Sequence, residues 1–485
     1  MSANHRGYSS NFRGRGANRG RYGWRRGPSM PLASPTPSYP PLPLGPEIAC
    51  VSIAKLAKDD AIPIEKARVS DCQLVASYNW LDKPKPTIII PGLPPRWNPP
   101  SETPQLKEDS GVFYRDRNAS RLHLHPMEPA IESILRTRPS FAAVSSTPID
   151  IVACGSTLGN LLRFTSGDEK PFRMLVNVVG STVHLIRREK SPNETIDDVR
   201  GYGHTFPDAY TTSDREARGS ASHQRILSYC FGGLRCLVRY EGDGYLSALA
   251  DEAAATRAGL ASLAAEESTT ATSGHSRVED LAASLSTAAI SPAMPVDGPL
   301  TIQPAGRAIP QRALFDLKTR SFKSINKDHL AKELPRLYLS QTPNFILAYH
   351  RSGVFNNVTI CDVRSRLSEW EAASAEPLSL LAVLLRRVLV LAREGHDGRL
   401  EITRDEGETA IHVREQTPGL PGVLSSGCEA RWKAWLAGDG DDRGGIGNKD
   451  NADGADDEGE LRWIEHDNDF TAYTESCGYC GDCTF

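Results

Sequence analysis

Two acidic patterns in the sequence have the residue types and the spacing for metal-assisted chemistry. Asp316 and Lys318 stand two residues apart in the stretch LFDLKTRS, residues 314–321, which begins with apolar residues. On a strand they would project from the same face, where a carboxylate beside an ammonium can hold a divalent metal and orient a water or a phosphate. Glu241 and Asp243 repeat this spacing after the apolar segment LRCLVRY. A lone Asp-x-Lys pair is most often a surface ion pair, so it is the acidic pair Glu241 and Asp243, the first along the chain, that favours a functional site.

The elements around these patterns predict an α/β (α+β) fold in which a mixed β-sheet is flanked by helices. Residues 174–179 and 182–186 are β-rich and are joined by Gly180-Ser181, which predicts a hairpin. A Gly-Gly turn at 232–233 precedes the strand that ends in the first acidic pair. Residues 378–394 are strongly apolar with charges near their C-terminal end, which predicts a core helix.

Composition divides the chain into a central domain and two tails. The chain has 485 residues, of which 39% are hydrophobic and 24% are charged. This length allows two or three average domains, or one large domain with appendages. Residues 46–437 are predicted to form one domain, with a low-complexity insertion at about 248–299 between the two acidic patterns. Residues 1–45 and 438–485 are predicted to be disordered tails.

The N-terminal tail has the composition of an RNA-binding arm. Residues 1–27 contain seven arginines and no acidic residue, although the whole chain has a formal charge of −4. Arginines mixed with glycines and aromatic residues bind RNA through phosphate charge and base stacking. Arg13, Arg15, Arg19 and Arg21 are therefore predicted RNA contacts. A solvated disordered tail or a basic import signal explains the same composition equally well.

The cysteines and the apolar segments bear on compartment and on metal binding. The N-terminus lacks the apolar segment of a secretory signal, and no run of about eighteen apolar residues predicts a membrane span. We therefore expect a nuclear or cytoplasmic protein that is not secreted, with its ten cysteines mostly reduced. Cys477, Cys480 and Cys483 have a spacing that could hold Zn²⁺. Unliganded thiols on an acidic tail are the alternative.

Several blocks of the sequence follow one another in the order of a known family. They are IVACGSTLGNLLRF, GYGHTFPDAYT, VRYEGDGY, LFDLKT and PRLYLSQTPNF. Together they resemble the DXO-type family of RNA 5′-end decapping exonucleases and pyrophosphohydrolases, which is part of the PD-(D/E)XK nuclease superfamily. The resemblance covers roughly residues 100–390 and rests on the shared order and spacing, since no single block is decisive. It implies a PD-(D/E)XK nuclease-like sheet and RNA as the partner.

The resemblance also implies roles for individual residues. Glu241, Asp243 and Asp316 would be ligands of Mg²⁺ or Mn²⁺, ions that prefer oxygen donors. Lys318 would lie beside the scissile phosphate, so that these four residues form the catalytic set. Asp208 would be a further metal ligand if Pro207 counts as an inserted residue.

Two further positions follow from the same resemblance, and both concern RNA. Gln341 would lie near the RNA. The first motif of the family contains an arginine where this chain has Gly155, and Arg163 could replace it if it reaches the same space.

Three departures from the family pattern leave catalysis open. They are the absence of the first-motif arginine, the shorter side chain of Asp316, and the glycine at 242, which is expected to loosen a strand between Glu241 and Asp243. The sequence therefore predicts either a metal-dependent hydrolase of RNA 5′ ends or a DXO-like RNA-binding or scaffold protein with impaired catalysis. A geranylgeranyl diphosphate synthase is disfavoured, because paired Asp-Asp-x-x-Asp clusters are missing and the predicted strands at 150–245 contradict an all-helical bundle.

Overall fold

The fold is seen in a computed structural model of the chain. It describes residues 42–58, 63, 65–110, 113–196, 199–253, 300–394 and 396–438. The predicted arm at 1–45, the insertion at 248–299 and the tail at 438–485 lie largely or wholly outside the described residues. Their predicted character stays a prediction.

The described residues form nineteen strands in three sheets. In chain order these are β1 (Glu47–Ser52), β2 (Val69–Leu81), β3 (Thr87–Gly92), β4 (Arg96–Trp97), β5 (Phe113–Tyr114), β6 (Ile151–Cys154), β7 (Phe172–Val179), β8 (Thr182–Arg187), β9 (Thr195–Ile196), β10 (Thr211–Thr212), β11 (Ser220–Phe231), β12 (Leu234–Glu241), β13 (Gly244–Tyr245), β14 (Thr301–Gly306), β15 (Leu314–Ser321), β16 (Asn344–Arg351), β17 (Val354–Asp362), β18 (Arg399–Arg404) and β19 (Ala410–Glu415).

The helices lie against these sheets. They are α1 (Ile53–Leu56), α2 (Arg117–Arg121), α3 (Glu128–Thr137), α4 (Gly155–Thr165), α5 (Thr205–Tyr210), α6 (His329–Ser340), α7 (Arg364–Ala373), α8 (Ala375–Glu394) and α9 (Ser426–Leu436). None of the helices in the described part of the chain combines the length and apolar character needed to cross a membrane.

Two sheets carry most of the structure. The larger has the strand order β1-β19-β18-β7-β8-β6-β12-β11-β2-β3-β14, and the smaller has the order β10-β4-β13-β15-β16-β17. Both sheets are mixed. In the larger sheet β6 runs parallel to both β8 and β12, while β7 and β8 are antiparallel. In the smaller sheet β15 runs parallel to β16, while β16 and β17 are antiparallel. Helices flank these sheets, so the predicted mixed α/β fold is confirmed.

Local sequence signals explain the hairpins. Strands β7 and β8 pair antiparallel around Gly180, as predicted. Strands β11 and β12 pair through Gly232 and Gly233, whose φ angles of 60° and 77° suit glycine because it lacks a Cβ atom. The predicted core helix at 378–394 is also confirmed, as the buried part of α8.

A crossover from β15 through α6 to β16 organises the smaller sheet. Helix α6 begins at an N-cap, Asp328, whose carboxylate accepts from the Ala331 N–H at 3.0 Å. It ends at Gln341, which has a left-handed φ of 48°. The apolar face of α6 packs in the main core with α8 and with β12. Helix α6 therefore follows β15, which carries Asp316 and Lys318, and packs against β12, which ends at Glu241.

Candidate carboxylate and lysine site

Strand β15 presents Asp316 and Lys318 toward α6. Phe315 and Leu317 pack in an apolar cluster with the aromatic residues of α5, so the alternating positions face the other way. Asp316 pairs in register with Phe345 of β16, which packs in the core that contains α6. Asp316 is only 4% exposed and Lys318 only 7%. The strand thus places a carboxylate and an ammonium side by side in a largely buried position.

The first acidic pair reaches β15 through the short strand β13. Gly244 of β13 pairs with Phe315, and a Cβ atom at Gly244 would lie 2.3 Å from the Phe315 ring. Only glycine allows this approach. As a result Asp243, one residue earlier, accepts a 2.7 Å hydrogen bond from the Leu317 N–H with its Oδ2.

The predicted loosening at Gly242 does not concern a strand, because β12 ends one residue earlier, at Glu241. The Gly242 N–H donates to the His223 carbonyl at 3.0 Å. A Cβ atom there would stand 3.3 Å from the Leu314 side chain. Gly242 therefore belongs to a buried, hydrogen-bonded connection that leads from Glu241 to Asp243.

Two neighbouring carboxylates, those of Asp316 and Glu241, act electrostatically on Asp243. Burial raises the pKa of Asp243 well above its ordinary value, and the charges of Asp316 and then Glu241 raise it further. The Arg336 guanidinium and the Leu317 N–H lower the pKa but do not cancel these effects. The ionised form of Asp243 is thus disfavoured until a cation approaches, which is a property of functional carboxylate sites.

Arg336 of α6 brings a guanidinium into this carboxylate group. It donates to both carboxylate oxygens of Asp316, through Nη1 to Oδ2 and through Nη2 to Oδ1 at 2.5 Å. Its Nη2 also donates to Glu333 Oε2 at 2.9 Å. Glu333 is 1% exposed and also lies 3.5 Å from the Arg320 guanidinium. A buried chain of alternating charges therefore runs from Asp316 along the face of β15.

The donor set fits a hard divalent cation in part. Carboxylate oxygens are the ligands that Mg²⁺ and Mn²⁺ prefer, and Glu241 and Asp243 supply them beside a buried strand. Among the residues that the structure describes, ligand oxygens of Glu241, Asp243 and Asp316 do not all lie within 4.8 Å of one another. Asp316 could join a shared ion only if its hydrogen bonds to Arg336 were exchanged.

The structure does not bring Asp208 to this face. Asp208 is exposed on α5, whose Phe206 packs with Phe315 and Leu317, on the side of the sheet opposite Asp316. The buried acid near α5 is Asp109, which accepts from the Thr205 N–H at 2.9 Å.

Gln341 and Arg163 lie near α6 and have local partners. Gln341 caps α6, since its Nε2 donates to the Tyr338 carbonyl at 2.6 Å and its own carbonyl accepts from Gln311 at 3.0 Å. Arg163 lies on α4 and donates to Asn160 Oδ1. Arg336 is an arginine that contacts Asp316 directly.

The other predicted contacts lie outside the described residues. These are the arm residues Arg13, Arg15, Arg19 and Arg21 and the thiols of Cys477, Cys480 and Cys483. Their roles in binding RNA and zinc stay predictions.

Arg336 and Glu333 are not among the site residues that the sequence predicts. Their i,i+3 spacing is visible in ELPR of the segment before β16, and such pairs share one face of a helix. The spacing alone does not tell which strand that face meets. Only the parallel pairing of β15 with β16 places the pair over Asp316.

Comparison with known proteins gives a family and a set of distant structural neighbours. A family model described as a domain of unknown function (DUF8563) matches residues 48–410. No curated protein sequence matches the chain.

Three solved structures illustrate the neighbours. Rai1 of Scheffersomyces stipitis, solved with (3′-NADP)⁺ and calcium, is 9% identical over 81% of this chain and 99% of its own, with a TM-score of 0.48. Rai1 of Candida albicans, solved with pU5 and Mn²⁺, is 8% identical over 78% and 99%, with a TM-score of 0.45. Dxo1 of K. lactis, solved with manganese, is 10% identical over 78% and 98%, with a TM-score of 0.40. At these values the neighbours' activities do not transfer to this chain.

Proposed function

The chain belongs to the family described as a domain of unknown function (DUF8563), and we propose that it is a metal-dependent hydrolase acting on the 5′ ends of RNA. One observation carries this proposal. Asp243 is held against β15 by the Leu317 N–H, and its pKa is raised well above the ordinary value by burial and by the charges of Asp316 and Glu241. A carboxylate group with this excess of negative charge favours a divalent cation.

Each residue of the site would have a separate role in hydrolysis. Glu241 and Asp243 would hold the cation, which when bound supplies a water of lowered pKa and a positive charge for the phosphate oxygens. Lys318 projects from the same face of β15 as Asp316, and its ammonium would donate to a phosphate oxygen and stabilise charge that develops there. The Asp316–Arg336 pair would position the loop that bears Asp243.

The order of the sequence blocks is the basis for proposing RNA 5′ ends as the substrate. GYGHTFPDAYT, VRYEGDGY and LFDLKT follow the order of the DXO-type family, and in the structure the last two meet where β13 pairs with β15. The basic arm with Arg13, Arg15, Arg19 and Arg21 would add affinity for RNA through phosphate charge.

A second function is favoured by one specific observation. Both carboxylate oxygens of Asp316 accept from Arg336, so a protein guanidinium already engages the oxygens that a metal ion would need as ligands. On this account the chain is an RNA-binding protein in which the pair stabilises the fold and catalysis is impaired.

Hydrolysis assays separate the two functions. Purified protein is incubated with Mn²⁺ or Mg²⁺ and with RNA that carries a 5′-triphosphate, a 5′-monophosphate or a 5′-hydroxyl, and released products are separated by chromatography. We expect metal-dependent release from a phosphorylated 5′ end, with a loss of about 100-fold or more in Asp243→Asn and in Lys318→Ala. Asp362→Asn, which alters an exposed ion pair with Arg364, is the matched control and retains activity.

The same assay can overturn the proposal. Salt-dependent RNA binding without turnover in any divalent metal would establish the second function instead. Turnover that survives unchanged in both Asp243→Asn and Lys318→Ala would remove the site from the reaction altogether.

A further inference from the structure

A cysteine and a histidine face each other across the edge of the larger sheet. Cys50 of β1 pairs in register with His412 of β19, and directly opposite residues have Cβ atoms about 4.5–5.5 Å apart. Their neighbours Val51 and Ile411 are buried in the main core. Cys50 and His412, at the alternating positions, therefore project to the opposite face, where both are half-buried.

A β-bulge turns a carboxylate onto that same face. Glu47 is three residues before Cys50, and in a regular strand an odd separation points two side chains to opposite faces. The pairing of β1 with β19 shifts between Glu47 and Ala49, so that one extra residue stands in β1. Such a bulge changes the phase of the side chains by one position, and Glu47 joins Cys50 and His412.

These three side chains converge closely enough to share an ion. One ligand atom from each of Glu47, Cys50 and His412 lies within 4.8 Å of the others, and among the described residues no other set of three or more such side chains meets this limit. Glu47 Oε2 is 3.0 Å from His412 Nδ1. Thiolate, imidazole and carboxylate are the three ligand types that proteins use for zinc.

The histidine is oriented from its other side. His412 Nε2 lies 3.4 Å from Glu408 Oε2, and that carboxylate oxygen also accepts from the Asp405 N–H at 3.1 Å. Histidines that bind metals commonly donate the second ring N–H to a carboxylate, which fixes the tautomer and the ring plane. Glu408 is placed to do this, leaving the Nδ1 lone pair directed at Glu47 and Cys50.

We propose that Glu47, Cys50 and His412 form a zinc site, with Glu408 as the positioning carboxylate. A water would complete the tetrahedron, since three protein ligands leave one position open. Arg414, 3.0 Å from Glu47, offsets part of the negative charge that two carboxylates and a thiolate bring together. The ion would fasten β1 to the hairpin of β18 and β19, which lies far from it in the chain.

An ordinary ion pair is the competing explanation. A protonated His412 between Glu47 and Glu408 would satisfy both distances without a metal. That explanation gives no role to the Cys50 thiol, so the thiol is the group to test.

The experiment uses the full chain carrying Cys477→Ser, Cys480→Ser and Cys483→Ser, so that thiols of the C-terminal run do not contribute. The protein is titrated with Co²⁺, a spectroscopic substitute for Zn²⁺, and the thiolate-to-metal charge-transfer band is recorded. We expect one ion per chain with that band, displaced by Zn²⁺. The band should disappear in Cys50→Ser and persist in the matched control Cys361→Ser.

Two further measurements keep the proposal open to refutation if a variant folds poorly. Without any change at the site, Zn²⁺ should protect Cys50 from iodoacetamide, as followed by mass spectrometry, while leaving the alkylation of Cys361, which is also half-buried, unchanged. Glu408→Gln should weaken the affinity by about 10- to 100-fold while keeping the charge-transfer band. Absence of the band, its survival in Cys50→Ser, or equal alkylation of Cys50 with and without Zn²⁺ would overturn the proposal.

Discussion

Replacing Arg336 by methionine removes the guanidinium from a buried group of carboxylates. Asp316 and Glu333 are 4% and 1% exposed, and Arg336 itself is 9% exposed. Methionine keeps much of the apolar volume but leaves both carboxylates without the donors that Arg336 provides. Removing one partner of a buried ion pair costs about 3–5 kcal/mol. We expect Arg336→Met to lose that much free energy of unfolding in the presence of EDTA.

Urea denaturation followed by circular dichroism measures this loss. The matched control is Arg364→Met, which breaks an exposed pair with Asp362 and should cost about 0–1 kcal/mol. Mn²⁺ should then restore more stability to Arg336→Met than to wild type, because the ion can take the place of the guanidinium. At a metal concentration about 100-fold above the dissociation constant, binding stabilises a folded protein by about 2.7 kcal/mol.

Two results would contradict the role assigned to Arg336. A loss of less than about 1 kcal/mol in EDTA, equal to that of the exposed control, would show that the buried carboxylates do not depend on Arg336. A large loss that Mn²⁺ leaves unchanged would show that the site is not open to a cation even when the guanidinium is gone.

Three other substitutions test neighbouring parts of the account. The pKa of Asp243 is raised in the folded protein, so this group favours folding at low pH and loses that contribution as the pH rises from the ordinary pKa through the raised one. Asp243→Asn should therefore stabilise the metal-free protein near neutral pH. In thermal melts the stabilisation should grow with pH and vanish in acid. Asp208→Asn should leave metal-dependent turnover within about twofold of wild type in the RNA assay, since exposed substitutions usually cause small effects and α5 lies on the far side of β15; a loss as large as that of Asp243→Asn would place Asp208 in the site. Gly244→Ala should destabilise the protein by about 1–3 kcal/mol in urea denaturation, because its Cβ atom would lie 2.3 Å from the Phe315 ring. It should also weaken metal binding by moving Asp243, and wild-type stability would contradict the close approach.

Local signals were enough to predict much of the fold. The hairpin of β7 and β8 and that of β11 and β12 depend on glycine turns and on neighbouring residues of β character, which a short window of sequence contains. The apolar residues that α8 buries lie within residues 378–394 and can be recognised from the sequence. In each case the information is local, so the prediction did not need the tertiary structure.

The contacts around the site could not be predicted in the same way. Arg336 reaches Asp316 only because β15 and β16 are parallel neighbours with α6 crossing between them. Gln341, predicted from the sequence to lie near the RNA, also caps α6 through its side chain, since the left-handed end of the helix brings the amide back onto the last turn. The bulge that turns Glu47 toward Cys50 depends on the pairing with β19. The contact of Arg336 with Asp316 and the bulge at Glu47 are consequences of long-range pairing, whereas the Gln341 cap depends on the backbone conformation at the helix end.

Direct measurement of Mn²⁺ binding tests most directly whether Glu241 and Asp243 hold a divalent cation beside β15. The full chain carrying Cys50→Ser is titrated with Mn²⁺ and the free ion is followed by electron paramagnetic resonance, so that the cysteine site does not contribute. We expect one bound Mn²⁺ per chain, which is lost in Asp243→Asn and retained in Asp362→Asn. Equal binding by these two variants, or none by the unaltered site, would contradict this expectation.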